Sequence, residues 1–65
     1  MNIYLNNEFI NSIEIINDEG KTIKKQVVNA EKIDLDISDL KASNYLIKIV
    51  TKNSTHIKKW LKNRE

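Results

Sequence analysis

The segment Ile33-Asp34-Leu35-Asp36-Ile37 sets branched apolar residues at every second position, with a carboxylate between each. Successive side chains of a strand point to opposite faces, whereas a helix returns to one face only after three or four residues, so this spacing predicts a half-buried strand. The same period recurs in Ile3-Tyr4-Leu5, in Ile13-Glu14-Ile15 and along Tyr45-Leu46-Ile47-Lys48-Ile49-Val50-Thr51-Lys52. In the last of these, Tyr45, Ile47, Ile49 and Thr51 share a face. The opposite face mixes Leu46 and Val50 with two lysines, as expected of a central strand with one well-buried side.

Turn chemistry falls between these runs. Asn17-Asp18-Glu19-Gly20 contains the single glycine of the chain and separates Ile13–Ile16 from Lys21–Val28, which predicts a hairpin with Gly20 at positive φ. Ser38-Asp39-Leu40-Lys41-Ala42-Ser43-Asn44 is a second, longer turn, in which Asn44 is the expected left-handed residue, and Asn53-Ser54 is a third. About six short strands joined in this way predict an all-β antiparallel sheet or sandwich.

With 65 residues the chain accommodates one small domain at most. It has no Cys, so neither a disulfide framework nor a thiolate zinc site staples the fold, and the burial falls to Ile, Leu and Val. No apolar run approaches the roughly 18 residues of a membrane span, and Met1–Glu8 lacks the basic and apolar regions of a signal peptide. The net charge of +2 hides an asymmetry: residues 1–40 carry four Lys against eight acids, and residues 41–65 carry seven bases against Glu65 alone. The charge is therefore −4 followed by +6, which marks the basic end as a local feature.

That end has two patterns. From Ser54 as an N-cap, Ile57, Trp60 and Leu61 fall at i, i+3 and i+4 of a short amphipathic helix. In a strand, Ile57 and Leu61 face one way and Trp60 the other, unless a bulge near Lys58-Lys59 re-phases them.

The order of these signals closely resembles the type A C-terminal sorting domain of proteins exported by the type IX (Por) secretion system of Bacteroidota. The residues that carry the resemblance are Ile13-x-Ile15-x-Asn17-x-x-Gly20-x-x-Ile23, then Ile33 to Leu40, then Tyr45-Leu46-Ile47-Lys48-Ile49, then Lys58-Lys59-Trp60-Leu61-Lys62. Membership implies a small antiparallel immunoglobulin-like β-sandwich of about six to seven short strands, filling residues 1–65 as the C-terminal piece of a longer cargo protein. It implies a non-catalytic label, without cofactor, that transits the periplasm of a Gram-negative bacterium to the surface or medium. The outer-membrane translocon reads the label, and a sortase-like peptidase removes it at the cell surface. On this resemblance Lys58, Lys59, Trp60, Leu61 and Lys62 are the expected recognition residues, and Gly20, Leu40 and Tyr45 the fold determinants. The family's usual Leu-x-x-Gly-x-Tyr reads Leu40-Lys41-Ala42-Ser43-Asn44-Tyr45 here, with Ser43 at the Gly position and Asn44 expected to take over its backbone role. The Tyr-Pro-Asn-Pro-like stretch of the family has no counterpart in this Pro-free chain.

Catalysis finds little support. His56 is the single histidine, no Cys is present, and Ser12, Ser38, Ser43 and Ser54 lie in or beside turns without a paired base. Asp34, Asp36 and Asp39 lack the Gly and closing Glu of a calcium loop, so the acids are expected to form a solvated face and no metal is assigned. The lysines of the basic end also suit a solvated edge that discourages pairing with other chains, although a weak homodimer by edge-strand pairing is compatible with the pattern. Nucleic acid is not an expected partner, because one Trp and a short basic tail supply neither a stacking platform nor a recognition helix. The alternative function is a generic β-sandwich module that binds a protein or glycan in adhesion.

Overall fold

The computed structural model describes residues 1–5 and 8–63, so Arg64 and Glu65 of the basic end lie outside the described residues. It contains six strands: β1 (Asn2–Tyr4), β2 (Ile10–Ile16), β3 (Thr22–Ala30), β4 (Lys32–Asp34), β5 (Ser43–Thr51) and β6 (Thr55–Lys62). They form a four-stranded sheet in the order β3-β2-β5-β6 and a two-stranded sheet of β1 and β4. Every pairing is antiparallel. The fold is an all-β small sandwich, as the alternation predicts.

Between the sheets lie Ile3, Ile10, Ile13, Ile15, Leu35, Tyr45, Ile47 and Ile49, with Leu40, Val28, Ile33, Ile37 and Trp60 packed at the margin. On β5 the predicted face is the buried one, and Thr51 is buried with it. The Thr51 hydroxyl donates to Ser54 O at 3.2 Å and accepts from Ser54 N at 3.0 Å, which makes its burial tolerable.

The β2–β3 turn is built by Asn17. Its side-chain oxygen accepts from Glu19 N at 3.0 Å and Lys21 N at 2.9 Å, while its carbonyl accepts from Gly20 N at 3.0 Å. Gly20 sits at φ 83°, as expected. A Cβ there would meet nothing within 4 Å, so backbone conformation and not space selects glycine.

Two expectations change and one open alternative is resolved. The Ile33–Ile37 alternation survives as a pattern of facing, with Leu35 buried and Asp34 and Asp36 exposed, but the ladder ends at Asp34. The reason is a missing partner: β1 supplies three paired positions, Leu35 N donates to Met1 O at 2.7 Å, and among the described residues no strand continues beyond. Asn44 does not take a left-handed conformation. It lies with Ser43 inside β5, and Asn29 is the one non-Gly residue with positive φ (51°) among the described residues. Ser43 therefore needs no glycine, because the chain has already turned at Leu40, whose N donates to Ile37 O at 3.1 Å. Finally, the basic end is a strand. Its eight residues pair with β5 without a register shift, so no bulge re-phases Trp60 and the helical alternative is excluded.

Candidate functional site

β6 carries the predicted recognition residues, and its register with β5 decides what each can do. Lys58 lies opposite Ile47 and Trp60 opposite Tyr45, residues of the buried face, whereas Lys59 and Leu61 lie opposite Leu46 and Asn44 of the outer face. The structure thus divides the five. Trp60 is half-buried against the core, its ring 5.3 Å from that of Tyr45 at a tilt of 31°, a distance typical of stabilising aromatic pairs. Lys62 reaches over the end of the sandwich, where its ammonium donates to Ile37 O at 2.6 Å and also to Leu40 O. Lys58, Lys59 and Leu61 remain exposed, and Ile57 joins them with 60% of its surface accessible, against 57% for Leu61.

The residues expected to set the fold all have visible partners. The Tyr45 hydroxyl donates to Lys41 O at 2.6 Å, pinning the crossing from the small sheet into β5. A tyrosine at the start of a strand that bonds backbone a few residues upstream is the corner device of Greek-key sandwiches. Leu40 packs against the core beside it.

The three aspartates do not converge. Asp34 pairs with the amino group of Met1 at 3.1 Å, Asp39 with Lys24 at 3.1 Å, and Asp36 accepts from Ser38 N at 3.0 Å and from its hydroxyl at 2.7 Å. Among the described residues no three His, Cys, Asp or Glu side chains come together as metal ligands. The backbone N–H of Ser38, followed by its hydroxyl, holds the Asp36 carboxyl below its ordinary value of 3.8. Its contribution to stability is therefore present above that value and fades as pH falls through the lower folded one. Replacing Ser38 by Ala is expected to move the Asp36 carboxyl back toward 3.8 in an NMR titration, but only in part, since the backbone donor stays. An unchanged titration would mean that the hydroxyl contributes nothing.

His56 is half-buried at the start of β6, with Nε2 3.3 Å from a Glu8 carboxylate oxygen. Among the described residues no Ser, Thr or Tyr hydroxyl hydrogen-bonds to this pair. A feature that the linear sequence hides is the outer face of the four-stranded sheet. Register places Ile16, Leu46, Val50, Ile57 and Leu61 there around the Glu14–Lys48 ion pair of 3.6 Å. Beside β6, an open depression lined by Asn17, Gly20, Leu46, Lys59 and Leu61 continues this face toward the β2–β3 turn. No helix among the described residues is long and apolar enough to cross a membrane.

The family model for the secretion system C-terminal sorting domain matches residues 1–63. No curated protein and no solved structure gives a significant match. With a match over essentially the whole length, and with the turn, corner and basic strand in place, this chain belongs to the type IX secretion C-terminal sorting domain family.

Proposed function

We propose that residues 1–65 form a single non-catalytic export label, carried at the C-terminus of a cargo protein and recognised by the outer-membrane translocon. A type IX sorting signal marks its carrier for the cell surface or for secretion. In the finer reading the cargo crosses the periplasm of a Gram-negative bacterium of the Bacteroidota, and a sortase-like peptidase then removes the label. The strand order, with β1–β4 facing β3-β2-β5-β6 and a tyrosine corner leading into β5, supports an immunoglobulin-like arrangement. The observation that carries the recognition proposal is that Lys58, Lys59 and Leu61 stand exposed on a strand at the sheet edge. Trp60 and Lys62 support the same site from below by fixing that strand to Tyr45 and to the carbonyls of Ile37 and Leu40.

The test is a periplasm-directed reporter fused to this chain in a type IX-competent bacterium. Export is expected for the native chain and its loss for the double substitution Lys58→Glu with Lys59→Glu, which reverses the exposed charge without touching the core. No export of the native fusion, or full export of the charge-reversed one in folded form, would defeat the proposal.

A further inference from the structure

The four-stranded sheet has two open edges, β3 and β6, and they are not equivalent. Along β3 the pairing with β2 is interrupted twice, between Ile10 and Ser12 and between Ile15 and Ile16, and Asn29 bends the strand at positive φ. Bulges of this kind twist an edge away from further pairing. β1 and β4 are only three residues each. β6 alone offers eight residues in unbroken register.

The direction of its free backbone groups follows from the hairpin. Thr51 N donates to Ser54 O at 2.9 Å, which makes Thr51 and Ser54 a hydrogen-bonded pair. Antiparallel ladders alternate such pairs, so His56, Lys58, Trp60 and Lys62 turn their N–H and C=O toward β5. Thr55, Ile57, Lys59 and Leu61 turn theirs toward the open edge, and among the described residues no turn or loop backbone bonds to them. The same four residues carry the outer-face side chains, including exposed Ile57 and Leu61.

We propose that β6 receives an added strand from a partner protein, and that this strand alternates apolar and acidic residues. Main-chain bonds to Ile57, Lys59 and Leu61 hold it, its apolar side chains cover Ile57 and Leu61 on the outer face, and its carboxylates meet Lys58 on the opposite face. Charge selects the occupant. β6 holds three lysines and no acid. Because antiparallel pairing matches outward residues with outward residues, the two longest registers with a second copy put Lys58 opposite Lys58 or Lys59 opposite Lys59. Like charges directly opposed are destabilising, whereas an acidic strand gains at the same positions. The partner's identity as a secretion-machinery protein rests on the sorting reading; the mode of capture rests on the edge itself.

The probe is a capped eight-residue peptide of alternating Val and Glu, with a version carrying Pro at its centre as control, added at millimolar concentration to the isotope-labelled chain. Amide exchange at Ile57, Lys59 and Leu61 is expected to slow about tenfold while β3 amides are unchanged, an effect the Pro version lacks. Ile57→Pro removes one outward donor, which edge strands tolerate, and is expected to abolish the protection that Ile57→Val keeps. If Ile57→Pro fails to fold, the Pro peptide still decides. Unchanged exchange, protection on β3, or protection that grows with protein concentration in the absence of peptide would each overturn the proposal, the last in favour of a second copy. In the reporter assay, a native chain that is not exported defeats the sorting reading alone, because the peptide result stands apart from it. A native chain exported no better than folded Ile57→Pro defeats strand addition alone.

Discussion

Replacing Ile15 by Ala is expected to leave most of the chain unfolded at room temperature. Ile15 is fully buried, with 0% of its surface accessible, and lies on β2 between Lys24 of β3 and Ile47 of β5. Removing its branched side chain loses the transfer free energy of the deleted carbons and leaves a cavity that two flanking strands cannot easily close, about 2–5 kcal/mol together. A core of this size with no disulfide supplies only about 3–5 kcal/mol in total. The two quantities are comparable, so the loss is decisive. Ile57→Ala is the contrast, because that side chain is largely solvated and its truncation should cost no more than about 0.5 kcal/mol. Urea unfolding followed by circular dichroism measures both. A midpoint for Ile15→Ala equal to that of Ile57→Ala would show that the core does not lie where the burial places it.

Lys62→Met and Lys59→Met are expected to separate two roles that the sequence presents as one cluster. Lys62 donates to the carbonyls of Ile37 and Leu40, both at the loop that closes the sandwich, while Lys24 of β3 holds the same loop through Asp36 O and the Asp39 carboxylate. Hydrogen bonds from a charged donor contribute about 1.5–3 kcal/mol each, and the carbonyls regain water when the lysine is lost, so a net cost of about 2 kcal/mol follows for Lys62→Met. Lys59 is exposed on the outer face, and its substitution should stay within about 0.5 kcal/mol. Export is expected to respond in the opposite order: Lys59→Met weakens it without loss of stability, while Lys62→Met acts through the fold. Thermal melts and the reporter assay on both variants give the comparison. Equal destabilisation by the two would remove the distinction.

Local patterns carried far where one residue's chemistry sufficed. Gly20 was readable because the backbone conformation at that turn penalises any residue with a Cβ, and Tyr45 to Thr51 because a strand buried on one face must alternate. The Ser38–Asn44 turn was less readable, since several polar residues offered the same left-handed option and the chain closed the turn earlier, at Leu40. Ile10 was not readable at all. It lies three positions from Ile13, so strict alternation points it outward. An extra residue in β2 between Ile10 and Ser12, relative to Thr51 and Val50 of β5, returns it to the core with 0% exposure.

The candidate site shows the same division. Its lysines and Trp60 were visible as a basic, apolar end, but helix and strand patterns both fitted, because Ile57, Trp60 and Leu61 fall at i, i+3 and i+4 of a helix while Ile57 and Leu61 also share one face of a strand. Pairing with β5 removed the ambiguity by offering backbone partners that an isolated helix of this length would lack.

By itself the sequence determined that the protein is a small all-β domain, which residues of β5 face inward, where the first hairpin turns, and which family it resembles. Only the tertiary structure decided that the lysine strand lies at an unbroken sheet edge, that Lys62 is consumed by the fold while Lys58 and Lys59 are not, and that the acids are dispersed. The physical reason is that alternation is a property of neighbours along the chain, whereas edges, bulges and shared carbonyls depend on residues brought together from distant positions.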